Sequence, residues 1–197
     1  MTKASRDRPV ERPRLRTIKR WVIVLAACGH PHAPPPARPE PTVRDEIRLA
    51  EDAERHRQHD VAREHYERAV AGAHDPSSIA FARHEFAETL VSWGEVPAAI
   101  AQLEAAVAAK PDDAPAWHDL GLARHHEGDD RGAVYALERA RTLQPRDPRP
   151  RIALAALRWQ LGDKPGAAAE YRALLELDLP DRVRSKVEWA LGELAKP

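Results

Sequence analysis

The sequence has only one cysteine, one methionine and five serines in 197 residues, and it has no asparagine. A single cysteine excludes an internal disulfide and a multi-cysteine zinc site. Aromatic residues make up 5% of the chain, and the only strongly apolar run covers residues 21–27. Because a membrane-spanning helix needs about 20 apolar residues, the composition excludes a polytopic membrane protein. With so few nucleophiles, the sequence favours a binding protein over an enzyme.

The formal net charge of zero combines two unlike regions. Residues 1–27 carry eight basic and two acidic side chains, a net charge of +6. The other 170 residues carry 23 basic and 29 acidic side chains, a net charge of −6. Because an acidic body repels phosphate backbones, we expect no nucleic-acid partner.

A basic segment, a short apolar run and small residues precede the single cysteine. Lys19 and Arg20 lead into residues 21–27, and Cys28 follows a Leu-Ala-Ala sequence directly. This order is the layout of a secretory signal. The Leu-Ala-Ala-Cys sequence resembles the lipobox of bacterial lipoproteins, in which the cysteine is acylated and becomes the N-terminus after cleavage. The resemblance implies a signal peptide over residues 1–27 and a membrane anchor through lipid on Cys28.

The segment after Cys28 has the composition of a spacer. Six of the fourteen residues from 29 to 42 are proline, so we expect residues 28–42 to form an extended, semi-rigid linker. The lipobox resemblance implies a bacterial envelope location. Since Gly29 is not acidic, it favours the outer membrane, facing the periplasm. The open alternative is a cytosolic protein whose basic tail is not processed.

The rest of the chain repeats with a period of 34 residues. Three copies align without a gap: 80–113, 114–147 and 148–181. A fourth, weaker copy covers 43–76, where Arg57 replaces the glycine that stands at the turn of the other copies. In this copy the turn is predicted to be about two residues short, with residues 77–79 inserted after it. A repeat of this length predicts stacked supersecondary units.

The copy at 114–147 predicts two antiparallel helices. Asp113 is placed to cap the first helix, and Gly128 relieves the backbone at the turn between them. Small residues such as Gly121 let the two helices approach, while Leu137 fills the remaining volume. Pro145 ends the second helix. One such hairpin cannot bury its own apolar faces, so the copies must stack.

This pattern resembles the tetratricopeptide repeat. The copy at 114–147 matches the family's pattern closely, although Arg124 stands where tyrosine is usual; the matching residues are Trp117, Leu120, Gly121, Ala133, Leu137, Ala140 and Pro145. The copy at 80–113 departs from it, with Arg83 in place of the tryptophan. The resemblance implies an all-α, right-handed α-solenoid of about four helical hairpins over 43–181. We expect a capping helix over 182–197 to close the stack.

In this family the first helix of each repeat lines a concave face, and helical spacing predicts which side chains point into it. The candidate partner-binding residues are Phe81, His84, Glu88, His118, Leu122, His125, His126, Arg149, Ile152 and Trp159. This mixture favours a protein or peptide partner with apolar anchors and some acid. The alternative is that these are ordinary solvated positions. Exposed end faces also leave self-association possible.

The histidines lack the partners that catalysis or metal binding requires. No HExxH pair or facing carboxylates accompany them, so we expect no metal, no cofactor and no enzymatic activity. The predicted function is a lipid-anchored envelope scaffold that binds a protein or peptide in its groove. The alternatives are a pilotin-type assembly factor for an outer-membrane or pilus machine, and a cytosolic adaptor.

Overall fold

The computed structural model describes residues 40–196, which form α-helices joined by short turns. These helices are α1 (Val43–Arg55), α2 (His59–Gly72), α3 (Pro76–Ser92), α4 (Val96–Ala109), α5 (Ala114–His126), α6 (Asp130–Leu143), α7 (Pro148–Gln160), α8 (Lys164–Leu175) and α9 (Asp181–Leu194). The pairs α1–α2, α3–α4, α5–α6 and α7–α8 form hairpins, and α9 packs against α8. The predicted all-α solenoid of stacked hairpins is confirmed, and α9 lies where a capping helix is predicted.

The cysteine and the signal segment lie outside this description. Residues 1–27, Cys28 and most of the predicted linker belong to the part of the chain that the structure does not describe. Within residues 40–196, no helix has both the length and the hydropathy required to cross a bilayer.

In each hairpin a three-residue turn joins the two helices, and the middle residue of the turn has a left-handed backbone conformation. Gly94, Gly128 and Gly162 have φ of 80°, 83° and 81°, and Arg57 takes the same place with φ of 59°. The predicted replacement of the turn glycine by Arg57 is therefore confirmed. The predicted shortening of this turn is wrong, because residues 56–58 span the same length as the other turns.

The three inserted residues 77–79 are part of a helix and lengthen α3 at its N-terminal end. Asp75 accepts hydrogen bonds from the backbone N–H groups of Ser77 and Ser78, and Pro76 begins α3. A proline at the first helical position with an aspartate before it favours initiation at this point. As a result α3 starts one turn earlier than the repeat boundary predicted at residue 80.

The central hairpin closes where small residues meet large ones. Asp113 caps α5, as predicted, by accepting a hydrogen bond from the Ala116 N–H. At Gly121, an added Cβ would lie 2.6 Å from Leu137 Cγ and 3.2 Å from the Ala133 carbonyl oxygen. This contact explains the glycine physically, since any side chain here would force α5 and α6 apart.

In each hairpin, one residue of the first helix faces one residue of the second helix, and this pair differs in chemistry from repeat to repeat. The facing residues are 19 apart and are Glu46–His65, Arg83–Gln102, Trp117–Ala136 and Arg151–Glu170. The polar pairs are hydrogen-bonded at 2.6, 2.8 and 3.0 Å, whereas Trp117 and Ala136 pack in the apolar core. Arg83 thus replaces the tryptophan because its hairpin supplies a polar partner, Gln102.

Candidate partner-binding groove

The first helices of successive hairpins form the inner layer of the solenoid. Helices α1, α3 and α5 each contact the first helix of the next hairpin, whereas α2, α4, α6 and α8 make no such contacts with one another. Because successive hairpins are in contact through their first helices and are further apart at their second helices, the stack must curve toward the first helices. The concave face therefore belongs to α3, α5 and α7, as the repeat pattern predicts.

A recess of about 450 Å³ on this face lies between α3, α4 and α5. Its wall is mainly apolar, and two carboxylates and one imidazole complete it. The apolar lining consists of Ala87, Val91, Val96, Leu103, Leu122 and Ala123, and the polar lining consists of Glu88, Asp119 and His126. Leu122 is 44% exposed and Val91 46%, so both are available to a partner. Convergent apolar walls with few polar groups are typical of binding sites.

A second, smaller recess of about 130 Å³ lies between α5 and α7. Leu122 and His125 line it from α5, and Ala153, Ala156 and Leu157 line it from α7. Because Leu122 belongs to both recesses, the two lie side by side along the inner layer. This arrangement can receive two apolar side chains of one bound segment.

A histidine–carboxylate cluster lies beside the larger recess. His84 Nε2 is 2.6 Å from Asp119 Oδ2, and His118 Nδ1 is 2.9 Å from Asp119 Oδ1. Since an ionised carboxylate only accepts hydrogen bonds, both imidazoles donate to Asp119. Glu88 Oε1 lies 3.8 Å from His84 Nε2, one helical turn further along α3.

The hydrogen bonds of this cluster stabilise the ionised form of Asp119. Burial opposes the ionisation of Asp119, but the hydrogen bonds from His118 and His84 outweigh it and lower the pKa of Asp119 to about 2. The hydrogen bond to Asp119 raises the pKa of His84, and burial opposes this shift. Asp119 is therefore an anion throughout the physiological pH range.

The predicted groove residues fall into two groups. Glu88, Leu122 and His126 line the larger recess, and His125 lines the smaller one. His84 and His118 stand at the edge of the larger recess through their bonds to Asp119. These six residues are brought together around α3 and α5.

The other four predicted residues contact different parts of the solenoid. The guanidinium of Arg44 lies over the ring of Phe81 at 5.3 Å, and Arg149 is ion-paired at 2.7 Å with Asp147, which caps α7. Ile152 is exposed and lines neither recess. Trp159 packs edge-on against Tyr171 and close to Trp189, in the C-terminal core.

Sequence reasoning did not single out Asp119, the residue that joins the histidines. Its sequence signal is its spacing, because it lies 35 residues after His84, which is one repeat plus one residue. Such an offset places it on the side of α5 that faces α3. The histidines expected to attract an acidic partner are instead each next to a carboxylate of this chain: Asp119, Asp130 or Glu127.

Comparisons with known proteins agree with this architecture. Residues 84–148 match the profile of a family described as tetratricopeptide repeat. The PEX5-related protein of Mus musculus is 37% identical over 62 residues, and so is that of Homo sapiens. The matched stretch is 32% of this chain, but it spans only about a tenth of these curated relatives.

Solved structures share the fold at low sequence identity. The crystal structure of MamA has a TM-score of 0.61 at 23% identity, over 69% of this chain and 78% of that one. The PilF protein of Pseudomonas aeruginosa has a TM-score of 0.61 at 16% identity, over 78% and 73%. TTC0263, a tetratricopeptide-repeat protein of Thermus thermophilus, has a TM-score of 0.54 at 23% identity, over 78% and 81%.

The described residues form a helical-repeat solenoid with a recessed inner face. Residues 84–148 match the tetratricopeptide-repeat family, and the described residues share the fold of TTC0263, a solved tetratricopeptide-repeat protein. This fold suggests a role in protein–protein interaction and is typical of noncatalytic scaffolds.

Proposed function

We propose that this chain is a scaffold that captures an apolar side chain of a protein partner in the recess between α3, α4 and α5. The observation that carries the proposal is the recess itself, an apolar concavity of about 450 Å³ with exposed Leu122 on its wall. Exposed apolar surfaces rimmed by polar groups commonly mark interaction sites. Burial of one large apolar side chain there contributes about 1.5–3 kcal/mol to binding.

The charges around the recess favour a basic residue beside the apolar anchor. The four groove histidines lie next to carboxylates of the chain itself, so they offer little to an acidic partner. The Glu88 side chain is 60% exposed, and among the described residues no lysine or arginine nitrogen lies within 4 Å of its carboxylate, whose near neighbour is the His84 imidazole at 3.8 Å. A lysine or arginine of the partner can therefore pair with Glu88.

Peptide selection against the purified full chain tests this proposal. We expect the selected peptides to contain a large apolar residue next to a basic one. Leu122→Glu should weaken their binding about tenfold or more, because it puts a charge into the recess wall. Tyr135→Glu is the control, because Tyr135 is exposed on α6 and lines neither recess. Equal affinity of the wild type and Leu122→Glu would overturn the proposal.

We further propose that the mature protein is anchored to a bacterial membrane through lipid on Cys28. The support for this proposal is the order of sequence features, with a basic segment, the apolar run 21–27, Cys28 and a proline-rich spacer. A spacer of this kind would hold the recessed domain away from the membrane surface.

Mass spectrometry of the N-terminal peptide, combined with membrane fractionation, tests the anchor. We expect an acylated Cys28 at the N-terminus and a Cys28→Ala variant that is soluble or unprocessed. An unmodified Met1 in the soluble fraction of wild-type cells would contradict the anchor and favour the cytosolic adaptor. A secretin or pilus component among the membrane partners would favour the assembly factor.

A further inference from the structure

We propose that His84, Glu88 and Asp119 bind a divalent transition metal ion of the zinc type at the edge of the larger recess. Their potential ligand atoms, one from each side chain, all lie within 4.8 Å of one another. Within residues 40–196 this is the only cluster of three such groups at that distance. The proposal does not depend on the identity of a protein partner, but a bound ion would occupy the Glu88 carboxylate and so exclude its pairing with a basic residue of that partner.

The backbone already places the three side chains around one point. His84 and Glu88 are one turn apart on α3, and Asp119 faces them from α5. Ligand atoms around a tetrahedral zinc ion with bonds of about 2.1 Å are roughly 3.4 Å apart. The observed distances from His84 Nε2 are 2.6 Å to Asp119 Oδ2 and 3.8 Å to Glu88 Oε1. Each of these two distances is within about 1 Å of that separation.

His118 holds Asp119 in the required orientation. Its Nδ1 donates to Asp119 Oδ1 at 2.9 Å, which leaves Oδ2 directed at His84. Hydrogen bonds to the outer oxygen of a ligating carboxylate commonly fix its position in metal sites.

The types of donor atom select the class of metal. One imidazole nitrogen and two carboxylate oxygens suit Zn²⁺ and neighbouring transition metals, whereas Mg²⁺ and Ca²⁺ prefer oxygen donors only. Two carboxylates also balance the charge of a divalent ion. Binding displaces the proton on His84 Nε2, which is released to solvent, and the metal then replaces the hydrogen bond to Asp119.

The proposed site is open on the side of the recess. Glu88 and Asp119 both line that cavity, so three protein ligands leave a position for water that faces the partner surface. A three-ligand site with one open position is the arrangement of an exchangeable zinc ion.

Zinc titration of the metal-free full chain by isothermal calorimetry tests this inference. The background variant carries Cys28→Ser, His30→Ala and His32→Ala, so that these N-terminal side chains cannot contribute ligands. We expect one Zn²⁺ per chain, and about tenfold weaker binding or more in His84→Ala, since an N-donor ligand is lost. The control is His125→Ala, whose imidazole bonds to Asp130 and is not part of the cluster.

Cobalt substitution gives a second readout that folding defects do not mimic. Co²⁺ in a site with nitrogen and oxygen ligands should give a visible d–d spectrum that Glu88→Gln alters and His125→Ala leaves unchanged. Circular dichroism checks that each variant keeps its helices. Equal zinc affinity in the background variant and His84→Ala, or no zinc bound at micromolar concentration, would overturn the inference.

Discussion

Two carboxylates, Glu170 and Asp119, receive hydrogen bonds from neighbouring helices but differ in their partners. Glu170 is buried and contacts the guanidinium groups of Arg141, Arg151 and Arg158. The side chain of Asp119 is 32% exposed and contacts only the imidazoles of His84 and His118. Both residues link helices of adjacent repeats, Glu170 to α6 and Asp119 to α3.

The two carboxylates differ in whether their hydrogen-bond partners can release a proton. Guanidinium groups stay charged at every physiological pH, and three of them leave Glu170 without a free position. Imidazoles can release a proton near neutral pH, and Asp119 faces an open recess. Glu170 is therefore a structural residue, whereas Asp119 lies in a site where a ligand can exchange.

Removal of Glu170 should have the largest effect on stability. Glu170→Ala leaves three mostly buried cations without their shared anion, and breaking such a cluster costs about 3–5 kcal/mol. Urea unfolding of the full chain measures the loss. Glu138→Ala is the control, because Glu138 pairs with Arg158 near the surface and Arg158 keeps Glu170. Equal losses in the two variants would contradict the structural role of Glu170.

The next largest loss of stability is expected at the contact between α5 and α6. It tests whether tight packing contributes as much to stability as the Glu170 cluster does. Gly121→Ala introduces a Cβ 2.6 Å from Leu137 Cγ, and such overpacking costs about 1–3 kcal/mol. At Gly72 an added Cβ meets nothing within 4 Å, so Gly72→Ala is the control for helix propensity. Thermal unfolding of both variants checks this, and a stabilised Gly121→Ala would show that α5 and α6 can separate without cost.

Replacement of Asp119 should affect stability less than replacement of Glu170. Asp119→Ala removes two hydrogen bonds at the edge of a solvent-open recess, with an expected loss of about 1–2 kcal/mol. Urea unfolding beside Glu170→Ala measures the difference directly. If Asp119→Ala proved as destabilising as Glu170→Ala, the division between a structural and an exchangeable carboxylate would fail.

A carboxylate that caps a helix, and among the described residues otherwise approaches only Arg158 at 4.0 Å, sets the lower end of this scale. Asp163 accepts a hydrogen bond from the Gly166 N–H at the start of α8, so Asp163→Ala should cost about 1 kcal/mol. Gln58 precedes α2 and makes no side-chain cap, so Gln58→Ala should leave the unfolding midpoint nearly unchanged. The cap account would be wrong if these two variants shifted the midpoint equally.

The repeat pattern predicted the helices, the left-handed turn positions and six of the ten residues assigned to the groove that lie together around α3 and α5. A period of 34 residues and the turn glycines place α3 to α8, and helical spacing places Leu122 in the groove. These features depend on local physics, namely the left-handed turn and the helical period, which a sequence shows directly.

The remaining features depend on which side chain reaches a residue from another helix. Spacing gives Phe81 and Arg149 the correct helical face, but Arg44 covers Phe81 and Asp147 pairs with Arg149. Likewise, Arg151 and Glu170 are facing residues only once the hairpin is formed. Helical spacing predicts the direction in which a side chain points, but it does not predict which neighbouring side chain contacts it there.

Binding of the partner at the recess beside Leu122 is the central proposal. A photo-crosslinking amino acid at position 122, compared with one at position 135 on α6, tests it in cells that produce the full chain. We predict a crosslink to one discrete partner from position 122 and none to that partner from position 135. The same adduct from both positions, or from position 135 alone, would contradict the claim.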